Sequence, residues 1–94
     1  MKAGKTYMWK MYPDDNIWRI QTSCQKVDLK LHRRSTAKLV AWSINSNLWI
    51  YEIRYSEPNK AIKGLGRLTG LPINYIASED VYMAEISPIL HENK

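Results

Sequence analysis

Phenylalanine is absent from the 94 residues, and cysteine occurs once. With no Phe, all ten aromatics are Trp or Tyr, and each carries a polar handle that keeps a hydrogen bond at a core edge or a binding surface. The single thiol, Cys24, excludes an internal disulfide and any cysteine-based zinc cluster. That agrees with a reducing, intracellular setting. No apolar run approaches the roughly 18 residues that span a bilayer. The start, Met1-Lys2-Ala3-Gly4-Lys5, lacks the apolar stretch of a signal peptide. The expectation is a cytoplasmic protein with no membrane partner.

Catalytic and cofactor signatures are equally sparse. His32 and His91 lie far apart, and there is no HExxH, paired-carboxylate or Ser/His/Asp pattern. Asp28 and His32 are four apart, a spacing that an incidental surface pair on a helix explains. The run Gly64-Leu65-Gly66-Arg67-Leu68-Thr69-Gly70 has the spacing GxGxxxG rather than GxGxxG. It falls late in a helical pattern and has no P-loop lysine, so close helix–strand approach or a helix end explains it better than a nucleotide. The expectation is a non-enzyme with no metal and no cofactor.

What is present is strand signal. Asn47 to Tyr55 is dominated by aromatic and β-branched residues, which suit a half-buried sheet. Each of three such segments has a partner across a turn. Thr6–Tyr12 and Asn16–Thr22 flank Pro13-Asp14-Asp15, giving the pairs Met11–Trp18, Trp9–Ile20 and Tyr7–Thr22. Lys38–Ile44 and Leu48–Tyr55 flank Asn45-Ser46-Asn47, giving Ile44–Trp49, Trp42–Tyr51 and Val40–Ile53. Ile73–Ala77 and Val81–Ile86 flank Ser78-Glu79-Asp80, giving Ala77–Tyr82, Tyr75–Ala84 and Ile73–Ile86. Period-2 alternation then puts Trp9, Trp42, Trp49, Tyr51, Tyr75 and Tyr82 on inward faces, as core rather than stacking surface.

The linkers between hairpins read as helices. In Ser56–Gly70, Ser56 or Glu57 caps, Pro58 fits the first turn and Gly70 is a stop. Ala61, Ile62, Leu65 and Leu68 form its apolar stripe. In Ser23–Ser35, Val27 and Leu31 sit four apart, yet Val27–Leu31 also alternates like a strand. A constant offset aligning Lys26, Leu31, Arg33 and Ser35 with Lys60, Leu65, Arg67 and Thr69 favours helix. A rival arrangement makes Thr36–Ile44 helical, capped by Ser35. The chain is thus expected to be one α+β domain over 1–94, an antiparallel sheet of three β-hairpins with two intervening short helices. Its pseudo-repeat is ββα-ββα-ββ, with residues 1–4 and 88–94 loosely held. The open sheet leaves edge strands that a homodimer would cover.

Charge is segregated. Lys26 to Arg67 holds nine positive and three negative residues, +6, while the rest of the chain sums to −1, for a net +5. Acids gather at the hairpin turns, at Asp14, Asp15, Glu79 and Asp80. Lys26, Lys30, Arg33, Arg34 and Lys38 cluster in the first linker. Lys60, Lys63 and Arg67, spaced i, i+3, i+7, share one helical face in the second. Such a face suits a phosphate backbone, with Arg able to bond a guanine edge. No helix-turn-helix, ribbon-helix-helix or zinc-finger signature is visible. The expected function is a non-catalytic, double-stranded DNA-binding domain for replication initiation or transcriptional control, of a kind found in phage and mobile elements. Lys26, Lys30, Arg33, Arg34, Lys38, Lys60, Lys63 and Arg67 would make contact, with Arg19 and Arg54 on the outer sheet face as secondary candidates. The alternative is an interaction or inhibitor protein docking on an acidic protein partner through Leu48, Ile50, Val81 and Met83.

Overall fold

The computed structural model describes residues 5–12, 16–43 and 45–84. Strands β1 (Thr6–Lys10) and β2 (Ile17–Thr22) lead into helix α1 (Gln25–His32). Strands β3 (Ala37–Ser43) and β4 (Leu48–Arg54) lead into α2 (Pro58–Thr69), and β5 (Ile73–Ile76) and β6 (Val81–Ala84) follow. All six strands join one antiparallel sheet in the order β3-β4-β2-β1-β6-β5. This is the α+β class that the pattern implied. An isolated hairpin is marginal in water. Here β2 pairs with β4 over six positions and β1 pairs with β6, so the three hairpins fuse into a single surface.

Both helices cover one face of that surface. In α2, Glu57 occupies the N-cap and Pro58 the first turn, where its missing N–H costs nothing. Gly70 closes the helix in the left-handed conformation (φ 68°), its N–H bonding Gly66 O at 2.7 Å. Ala61, Leu65 and Leu68 are buried, as the stripe implied, and Ile62 lies at the margin. Gly64 is buried because the Tyr55 ring lies against it, and an added Cβ would overlap the Tyr55 hydroxyl. The Gly-rich run therefore serves close packing and a helix end.

Helix α1 is shorter than the Ser23–Ser35 pattern. Cys24 sits at its N-cap and Arg33 at its C-cap, and Val27 and Leu31 face inward. The rival helix over Thr36–Ile44 is not formed; Ala37–Ser43 is an edge strand. The core is a single cluster of Met8, Trp18, Ile20, Val27, Leu31, Tyr51, Ile53, Ala61, Leu65, Leu68 and Ala84. Two polar links run through it. Thr6 and Thr22 share a buried hydroxyl bond of 2.7 Å across β1 and β2. Tyr51 donates its hydroxyl to Asp28 Oδ1 at 2.6 Å, tying β4 to α1.

The strand registers correct the expected pairings. In the first hairpin Lys10 opposes Trp18, Met8 opposes Ile20 and Thr6 opposes Thr22. This is one residue away from the Met11–Trp18, Trp9–Ile20 and Tyr7–Thr22 set, and a one-residue slip exchanges the faces. Met8 is buried, while Tyr7 and Trp9 point to the opposite side of the sheet. Alternation misled here because polar Thr6 and Lys10 share the inward face with Met8, which left Tyr7, Trp9 and Met11 as the more apolar set.

In the second hairpin Trp42 opposes Trp49, and Leu39 and Ala37 oppose Tyr51 and Ile53. A bulge between Leu39 and Ala41 takes up Val40, so neither Val40–Ile53 nor Trp42–Tyr51 forms. Ile44 lies outside the described residues. In the third hairpin Tyr75 opposes Tyr82 and Ile73 opposes Ala84, a shift of two that preserves the faces. Ile86 lies outside the described residues. Of the six aromatics expected in the core, Tyr51 is buried, and Trp49 and Tyr82 pack against the core. Trp42 and Tyr75, on the two edge strands, are 63% and 52% exposed.

Candidate nucleic-acid interface

Burying one stripe of each helix dictates where its charges go. In α2 the inward set Ala61, Gly64, Leu65 and Leu68 leaves Lys60, Lys63 and Arg67 on the exposed face. That row is about 10.5 Å long at 1.5 Å per residue. In α1 the inward pair Val27 and Leu31 leaves Lys26 and Lys30 exposed one turn apart, with Arg33 and Arg34 exposed just past the helix end. Lys30, Arg33, Arg34 and Arg67, with Leu68, line one open depression of about 330 Å³. Arg67 thus meets cations 33 to 37 positions before it in sequence, and among the described residues no acidic side chain lines the depression.

Four cations at one place repel each other, and the helix ends offset part of that cost. Lys30 and Arg33 belong to the C-terminal end of α1, and Arg67 to the last turn of α2. Each helix C-terminus carries roughly half a negative charge on carbonyls that lack intrahelical partners. Lys30 Nζ donates to Leu68 O at 3.2 Å, so one ammonium is held directly by the end of the other helix. The guanidiniums of Arg33, Arg34 and Arg67 remain exposed. Nearby, burial pushes the Tyr55 hydroxyl above the ordinary tyrosine value, with the Arg34 charge opposing it.

The remaining three of the ten sequence candidates lie on the other side of the sheet. Lys38 opposes Glu52, and Glu52 opposes Arg19, so the three form a row across β3, β4 and β2. Arg19 reaches Glu52 Oε1 at 3.5 Å, a partly exposed pair of small energetic weight. Arg54 is exposed opposite Ile17 on that same face. The ten cations therefore divide into a helical group of seven and a sheet group of three. Lys38, close to Arg33 and Arg34 in sequence, is separated from them by the turn into an edge strand.

The outward sheet face holds what the sequence pattern misassigned. Tyr7 and Trp9 stand there beside Gln21 and Arg19. Leu48, Ile50 and Met83 share the face as expected, and Val81 pairs there with Ile76. Every one of these residues is half-buried, whereas their neighbours on the inward side of β1 and β2 include the fully buried Met8, Ile20 and Thr22. The Asp28 carboxylate accepts from Tyr51 and so has a structural partner in the core. No helix among the described residues is long and apolar enough to cross a membrane. Comparisons with protein-family models, curated proteins and solved structures return no match for this chain.

Proposed function

We propose that the chain is a non-catalytic nucleic-acid-binding domain whose helical face docks on the phosphate backbone of double-stranded DNA. The observation that carries this reading is the convergence of Lys30, Arg33, Arg34 and Arg67 on one open depression that no acidic side chain lines among the described residues. Planar guanidiniums match phosphate oxygens in two-point hydrogen bonds, and the Lys26 and Lys60–Lys63 rows extend the same potential along the surface. A replication or transcription role is the biological setting that fits a small DNA-binding module. The same reading treats the domain as a ββα unit used twice with a closing hairpin. Its support is that α1 and α2 start 33 residues apart, at Gln25 and Pro58.

The test is the salt dependence of binding to a random duplex. The logarithm of affinity falls with the logarithm of salt at a slope of about −0.9 per phosphate neutralised. Four engaged cations give a slope of about −3.6, and all seven helical cations about −6.3. Between 50 and 200 mM salt this is a loss of roughly 150-fold to 6,000-fold. No retention on duplex DNA at about 50 mM salt, or binding insensitive to salt, refutes the proposal.

A further inference from the structure

The second feature with chemistry of its own is the sheet face opposite the helices, which no element among the described residues covers. Its centre is β1, an interior strand between β2 and β6, which carries the two aromatics that the described strands place on that face. Tyr7 and Trp9 are two residues apart on one side of the strand, about 6.8 Å. Trp9 opposes Arg19, and Tyr7 lies between Gln21 and Met83. Each ring thus has a side chain with planar N–H donors directly beside it.

Among the described residues, the strands of this face carry the cations Arg19, Lys38 and Arg54 against the carboxylate of Glu52. Arg19 spends one N–H on Glu52 at 3.5 Å, and its Nε has no hydrogen-bond partner among the described residues. We infer that this face is a platform for single-stranded nucleic acid. Bases stack on Tyr7 and Trp9, their edges meet Gln21 and Arg19, and the phosphates run toward Lys38 and Arg54.

Charge selects this occupant. A second copy laid face to face would set this cation-rich group of β2, β4 and β3 against a like-charged surface within the contact. A polyanion with flat apolar bases complements both parts of the face, because every base offers a π-face to an aromatic ring whatever its identity. The inference is separate from the duplex reading of the helical face, since no residue is shared between the two surfaces.

The experiment measures fluorescence anisotropy of a labelled oligo(dT) of about 15 nucleotides, a length within the usual site size of such platforms. Trp9→Leu keeps apolar cover on the strand and removes the ring; Tyr7→Leu is its companion, and circular dichroism verifies folding. Each is expected to bind oligo(dT) about 5- to 150-fold more weakly than the wild type, the range measured for losing one stacked base, while duplex affinity is unchanged. Four results overturn the proposal. Both variants bind oligo(dT) like the wild type. Polyglutamate displaces oligo(dT) at equal charge concentration, as an acidic protein partner would. Light scattering finds a wild-type dimer that Trp9→Leu dissociates. Or the loss is confined to substitutions on the helices, such as Arg67→Gln.

Discussion

Replacing Arg67 with Gln isolates one charge of the depression formed by Lys30, Arg33, Arg34 and Arg67. Arg67 is exposed in the last turn of α2, and its guanidinium makes no hydrogen bond or ion pair among the described residues. The change therefore sets the loss of a favourable charge at a helix C-terminus against relief of repulsion from Lys30, Arg33 and Arg34, so stability shifts by under about 1 kcal/mol. Its effect on duplex DNA is larger and has a distinctive form. One fewer phosphate contact lowers the slope of log affinity against log salt by about 0.9. Because the contribution is released counterion, the loss shrinks as salt rises. It is about 15-fold at 50 mM and about 4-fold at 200 mM, vanishing toward 1 M. Anisotropy titrations of a random duplex at four or more salt concentrations measure both slope and intercept. Arg54→Gln, on the opposite side of the sheet, is the matched control, and its line should coincide with the wild type. Parallel lines for wild type and Arg67→Gln, or an equal change of slope in Arg54→Gln, refute the helical docking face.

Two further predictions concern the fold that holds this face in place. Gly64→Ala puts a methyl group into the Tyr55 ring. Overpacking of about 1–3 kcal/mol outweighs the roughly 1 kcal/mol gained in helix propensity, so Tm should fall by several degrees. Tyr55→Phe, whose hydroxyl has no hydrogen-bond partner among the described residues, should cost little alone and recover part of the Gly64→Ala loss in a double-mutant cycle. A cycle with no coupling removes the close-approach explanation. The second concerns Tyr51, whose burial, together with its bond to the Asp28 carboxylate, raises its pKa above the ordinary 10.0. The folded state resists ionisation that the unfolded chain undergoes near pH 10, so stability holds below that pH and declines above it. Urea unfolding across pH 8–11 should show this decline, and Tyr51→Phe should flatten it while losing about 1.5–3 kcal/mol at neutral pH with the hydrogen bond.

How far the sequence reached differs from element to element. The end of α2 was readable because each signal is local: Pro58 tolerated in a first turn, Gly70 able to adopt positive φ, and a stripe at 3.6-residue spacing. The strands were readable because aromatic and β-branched residues concentrate in them. The face of β1 was not, since the polar residues Thr6 and Lys10 lie on the inward side with Met8 and the alternation pointed the wrong way. Nor was the bulge at Val40, which depends on how an edge strand accommodates its single neighbour β4. For the charges, clustering along the chain was visible, but proximity in sequence misled at Lys38. One turn carries it from the α1 group to the far side of the sheet.

By itself the sequence determined the α+β class, the helix Pro58–Thr69 and the surplus of cations between Lys26 and Arg67, because propensity, capping and composition are properties of neighbouring residues, while Ser23–Ile44 stayed open between helix and strand. Tertiary structure decided the strand order, which joins β2 to β4 and β1 to β6. That choice depends on burying one continuous face under two helices, a condition no local segment can express. It also decided that Arg67 meets Lys30, Arg33 and Arg34, and that Trp9 stands beside Arg19 on the open face. Spacing along the chain puts Lys60, Lys63 and Arg67 on one helical face and Tyr7 and Trp9 on one side of a strand, but packing alone brings each group to its partners from other elements.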